Sequence, residues 1–155
     1  MTSLETPEVA VDLASLSQSV GVRLGPTAWT EMTQQLVDAF ADLTGDHNFI
    51  HVDQERARAT PFGGTIAHGF LSLSLLAPVT QLLCVTDAAT SINYGLNKVR
   101  FPGPLKVGGR YRGSAEVTSV TEIKGGFEVQ MTATLEVENA ERPAVAAESI
   151  LRFYA

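Results

Sequence analysis

Charge is missing from residues 59–86, where no Asp, Glu, Lys or Arg occurs. A run of that length could cross a bilayer. However, Pro61, Gly63, Gly64, His68, Ser72, Ser74, Pro78, Thr80 and Gln81 interrupt it, and no aromatic and basic belt flanks it. No membrane partner is expected; a helix apolar on nearly all sides has to be surrounded by protein. Cysteine is almost absent too. Cys84 is the only one and sits among Leu82, Leu83 and Val85, which excludes an internal disulfide and reads as a small buried hydrophobe in a reducing, cytoplasmic compartment. Basic residues are few, with eleven Lys and Arg, no run of three and a net charge of -6, so nucleic acid is not an expected partner. The N-terminal MTSLETPEVAVDLASLSQSVG has acids where a secretory leader has basic residues, and it lacks a continuous apolar core. Residues 1–20 are expected to form a partly ordered arm.

With 155 residues, 45% of them hydrophobic and 18% charged, the chain fits a single domain over residues 1–155. That length can bury about two-thirds of the unfolded surface. Residues 27–33 are β-branched and aromatic enough for a short strand. Thr33 can cap a helix over 34–43, in which Leu36, Val37, Phe40 and Leu43 recur at helical spacing, and Thr44-Gly45 supply its stop. The following DHNFIHVD reads as a loop, and Asp53 as the cap of a short helix, QERARA. A helix is expected over about residues 68–84, with Pro78 kinking it.

Beyond residue 87 the pattern alternates with period two. It is cleanest over 127–138, where Phe127, Val129, Met131, Ala133, Leu135 and Val137 alternate with polar residues; 91–101, 109–120 and 144–154 complete a set of strands. A sheet curled around one central helix buries all of this economically. That arrangement is α+β, the hot-dog fold.

The chemistry concentrates in residues 39–70, AFADLTGDHNFIHVDQERARATPFGGTIAHGF. The run from Phe40 through Gly45, Asp46, Asn48 and His51 to Ala57, with the later Ala67-His68-Gly69-Phe70 and Lys98-Val99-Arg100-Phe101-Pro102, resembles the signature of the MaoC-like R-specific enoyl-CoA hydratases, hydratase 2. The likeness spans about residues 30–110. Phe49 departs from it, standing where that family usually has proline. The resemblance implies reversible hydration of a trans-2-enoyl-CoA to a 3R-hydroxyacyl-CoA, or the reverse dehydration, in a homodimer whose sheets join, with no cofactor.

It also implies roles for individual residues. Asp46 and His51 are the catalytic pair converging on one water, since with ordinary pKa values near 3.9 and 6.5 both can accept a proton at neutral pH. The Gly69 amide opens a helix and suits the thioester oxyanion, and Asn48 orients the loop. Ser72 and Ser74 are both candidates for a helix serine at the site. Lys98 and Arg100, alternating on one strand face, are candidates for the CoA phosphates.

Competing readings are open at this level. Asp46 can be an ordinary turn residue and His51 a core histidine; His68 reads as a packing or hydrogen-bonding residue at the helix start. His47 and His51 stand four apart beside Asp46 and Asp53, but Gly45 and Asn48 oppose the helix that would bring the two imidazoles together, so no metal site is expected. A hot-dog thioesterase is the leading alternative enzyme, although residues 56–86 contain no Asp or Glu to supply a helix carboxylate. A non-catalytic acyl-CoA-binding or dehydratase subunit is the remaining one.

Overall fold

A computed structural model describes residues 8–155. Four long strands dominate: β5 (Thr90–Arg100), β6 (Arg110–Ile123), β7 (Gly126–Val137) and β8 (Val145–Tyr154). They lie antiparallel in the order β6, β7, β8, β5, and two short strands, β2 (Arg23–Leu24) and β3 (Thr30–Glu31), pair with the outer side of β6. The expected period-two pattern is the cause. Val129, Met131, Ala133 and Leu135 of β7 are all fully buried on one face, while Thr132 is exposed on the other.

Against the buried face packs the uncharged segment, with Leu71, Leu76, Val79 and Leu82 meeting Ala115, Val117, Met131 and Val145 in one core. This is the hot-dog fold. The helix over 68–84, however, is two short pieces, α4 (Gly69–Ser74) and α5 (Ala77–Thr80), followed by strand β4 (Leu83–Val85). Pro78 explains the break, because it has no N–H to continue α4 but is tolerated in the first turn of a new helix. Among the described residues no helix is long and apolar enough to cross a membrane.

One further expectation gains detail and two need correction. The arm is partly integrated: β1 (Val9–Val11) pairs in parallel with β4, and a 3-10 helix (Leu13–Ser19) buries Leu16 completely; residues 1–7 lie outside the described part. The strand over 27–33 shrinks to β3, and its tryptophan lies against β6 instead, Trp29 stacking under the Arg112 guanidinium at 4.5 Å. The helix over 34–43 does form, as α1 (Gln34–Thr44), but it buries Val37 and Ala41 while Leu36 and Leu43 are exposed. Both ends are built as expected. The Thr33 hydroxyl accepts from the Leu36 N–H, and Gly45 adopts the left-handed conformation (φ 80°) with its N–H on the Ala41 carbonyl.

Candidate active site

Gly45 turns the chain out of α1 and delivers Asp46. Its Oδ1 accepts from the Asn48 N–H at 3.2 Å, and the Asn48 Oδ1 in turn accepts from the Ile50 N–H at 3.3 Å. Asn48 thereby caps a single helical turn, α2 (Phe49–Val52), which carries His51. DHNFIHVD is thus not wholly irregular, because two side-chain caps in succession convert its second half into helix. Asp53 then caps α3 (Gln54–Arg58) through the Arg56 N–H, as expected, and Ala57 is fully buried beneath it.

His51 is buried, and its Nδ1 lies 2.7 Å from the Ile66 carbonyl. A carbonyl can only accept, so Nδ1 carries the proton and Nε2 presents its lone pair. Burial holds the imidazole below its ordinary value of 6.5; the Ile66 bond opposes this, the neighbouring His68 reinforces it, and Asp46 again opposes it. A basic nitrogen is therefore available at neutral pH.

The segment that supplies Ile66 is itself tied down on two sides. Its N–H bonds the Ile50 carbonyl, and on either side of it the Ala67 N–H donates to the Leu105 carbonyl and the Thr65 carbonyl accepts from the Val107 N–H. Gln34 completes the brace: its amide donates to the His51 carbonyl at 2.8 Å, and its oxygen accepts from the Thr65 hydroxyl at 2.6 Å. Nothing in the spacing of the sequence distinguishes this glutamine from any other first-turn helix residue.

His68 begins α4, and the structure brings it to the pair. Its ring stacks on His51 with centroids 3.8 Å apart and planes at 24°, and ligand-type atoms of Asp46, His51 and His68 all lie within 4.8 Å of one another. Its position directly before Gly69 was the only clue in the sequence. His47, by contrast, turns away to an exposed pairing with Asp42 at 2.9 Å, which raises its pKa. The His–His–Asp group fits a metal poorly. Lone pairs lie in the ring planes, and two rings stacked face to face cannot both aim at one ion about 2.0–2.1 Å away.

Gly69, whose amide opens α4, and Ser72 line a cavity of about 440 Å³ together with Ile50, His51, Phe62, Ile66 and Phe101. A Cβ at Gly69 would sit 3.2 Å from the Phe101 ring, so this wall is closely packed. Asp46, Asn48 and His68 are not in that lining; His51 joins them to it. Ser72 is buried in the same cavity, whereas Ser74 is exposed, bonds the Phe70 carbonyl and lines a separate groove with Leu73, Leu76 and Asn93. Lys98 and Arg100 are exposed on β5 and do not reach the cavity either; Arg100 donates to the Val99 carbonyl. Their alternation on one strand face does hold, with Lys98, Val99 and Arg100 in continuous register against Glu148, Ala147 and Ala146; the two register shifts of β5 lie before Lys98.

Comparison with known proteins matches this arrangement to a family. Residues 16–140 fit the MaoC like domain. The chain is 46% identical over 145 residues to 3-hydroxyacyl-thioester dehydratase Z of Mycobacterium tuberculosis, covering 92% of this chain and 96% of that protein. It is 43% identical to nodulation protein N of Rhizobium leguminosarum bv. viciae, covering 88% of each. Among solved structures, the (R)-hydratase from A. caviae involved in PHA biosynthesis superposes with a TM-score of 0.72 at 28% identity, over 85% of this chain and 94% of that one. The chain belongs to the MaoC-like dehydratase family and is an enzyme of the hydratase and dehydratase class.

Proposed function

We propose that this enzyme catalyses R-specific hydration of trans-2-enoyl-CoA to (3R)-hydroxyacyl-CoA and the reverse dehydration, with Asp46 and His51 as its catalytic pair. The observation that carries this reading is the commitment of His51 Nδ1–H to Ile66, which leaves Nε2 as a base beside the Asp46 carboxylate. The pair removes a proton from one water, whose oxygen bonds to C3 of the enoyl group. The C2–C3 π electrons move to the thioester oxygen, and the enolate then takes a proton at C2 from the pair. Because one pair delivers both parts of the water to one face, the addition is syn.

Stabilisation of the oxyanion falls to the Gly69 amide, one of the first N–H groups of α4 and so without an intrahelical partner. Ser72, buried beside His51, is the helix serine that faces this chemistry; Ser74 lies on the other groove. Crotonyl-CoA tests the reaction: loss of enoyl absorbance without free thiol is expected, and thiol release would make the protein a thioesterase.

The reading includes a homodimer. Among the described strands β5 is the last of the sheet on its side, and Ile92, Tyr94 and Leu96 on it are 42%, 52% and 39% exposed. An open strand edge carrying apolar side chains invites pairing with a second copy. Sedimentation should give a species of twice 16.6 kDa; a monomer at micromolar concentration would contradict it.

A further inference from the structure

We propose that His68 is a positioning residue for the Asp46–His51 pair, its Nε2–H holding the main chain of Asp46 while its ring face sets the plane of His51. This rests on the catalytic roles proposed above.

Nε2 of His68 lies 2.9 Å from the Asp46 carbonyl, which can only accept, so that nitrogen carries the proton. Nδ1 then keeps a lone pair, and it is buried without a hydrogen-bond partner among the described residues. Leaving a buried polar nitrogen unpaired is unfavourable. Phenylalanine would fill the place between Phe40 and His51 without that cost, since packing alone requires only a ring (centroid distances 5.0 Å and 3.8 Å). What imidazole adds is the donor to Asp46.

That donor matters because of how little else holds the residue. The other hydrogen bonds of Asp46 are local, to the Thr44 hydroxyl and the Asn48 amide; the His68 bond is the only one among the described residues that ties Asp46 to a distant part of the chain. The tie fixes the Asp46 loop to the start of α4, where Gly69 begins. One imidazole thus sets base, acid and oxyanion donor relative to one another. The titratable groups that face His51 are Asp46, from the loop before α2, and His68, from the start of α4.

Two variants separate the donor from the ring. His68→Phe keeps the stack and loses the donor. His68→Gln puts an amide N–H near the place of Nε2 and loses the stack. With crotonyl-CoA, His68→Phe is expected to lower kcat about 10- to 100-fold, the scale of a small misplacement of reacting groups, with KM nearly unchanged. His68→Gln should recover most of that loss.

A His68→Phe enzyme with parental kcat overturns the proposal, as do Phe and Gln variants equally impaired, the result of a packing role. Should His68→Phe fail to fold, His68→Leu takes its place beside His68→Gln. A kcat for Leu well below that for Gln supports the proposal, and equal kcat values overturn it. A parent that does not hydrate crotonyl-CoA overturns the reading of the site and this role with it; a parent that hydrates while His68 proves indifferent overturns this role only.

Discussion

Replacing Asp46 by Asn is expected to lower kcat about 100- to 10,000-fold, the range in which a positioned acid or base usually contributes, while leaving the melting temperature near the parental one. The geometry supports the separation. Asp46 is exposed, and its Oδ1 serves the loop only as an acceptor for the Asn48 N–H, a bond that an amide oxygen can also accept. What asparagine cannot do is take a proton.

His51→Asn is the matching change on the other partner. Its amide N–H can stand in for Nδ1–H on the Ile66 carbonyl, so the brace survives while the basic nitrogen disappears. A loss of similar size is expected, and the double variant should be hardly worse than either single one, because groups that act as a unit are not additive. For the parent, kcat/KM should fall on the acid side through a pKa below 6.5, since burial disfavours charged His51 and only the uncharged form serves as base. Parental turnover in Asp46→Asn would remove that residue from the mechanism, and an acid limb above 6.5 would contradict the burial of His51.

The largest expected effect on stability lies at the opposite end of the sheet. Gly126→Ala should destabilise the fold by about 3 kcal/mol or more, in the upper range for single substitutions. Gly126 closes the β6–β7 hairpin against Tyr154 of β8, and a Cβ there would overlap the Phe153 carbonyl oxygen and stand 3.0 Å from the Tyr154 Cα. These are backbone atoms held in two ladders, so they cannot step aside as a side chain would. Thermal unfolding should shift down by about 6–12 °C at this chain length. A melting point within a degree of the parent would mean that the β7–β8 register yields more easily than its continuous pairing implies.

Where the sequence spoke clearly, local chemistry was the reason. Period-two alternation located β5 to β8 within a few residues, Thr33 and Gly45 bounded α1, and the spacing from Gly45 through Asp46, Asn48 and His51 to Ala57 singled out the candidate site proposed above. Where it did not, the determinant was a contact between distant segments. The stack of His68 on His51 joins residues on either side of a folded-back segment, and Gln34 reaches His51 and Thr65 from a different helix altogether. The pairing of Val9–Val11 with Leu83–Val85 depends on where α5 stops, and Pro78 marks only where it starts. Two register shifts in β5, between Asn93 and Gly95 and between Leu96 and Lys98, interrupt the strand where a period count cannot see them.

Trp29 carries a consequence of its own. It is the only tryptophan in the chain, and it rests against the Arg112 guanidinium on β6, with no part in the His51 cavity. Intrinsic emission excited at the indole band therefore reports whether residues 25–31 stay seated on that strand and is silent about substrate entering beside Ser72. The molecule thus has a built-in optical gauge for sheet integrity, separate from turnover, by which a variant that has lost its chemistry can be told from one that has lost its shape.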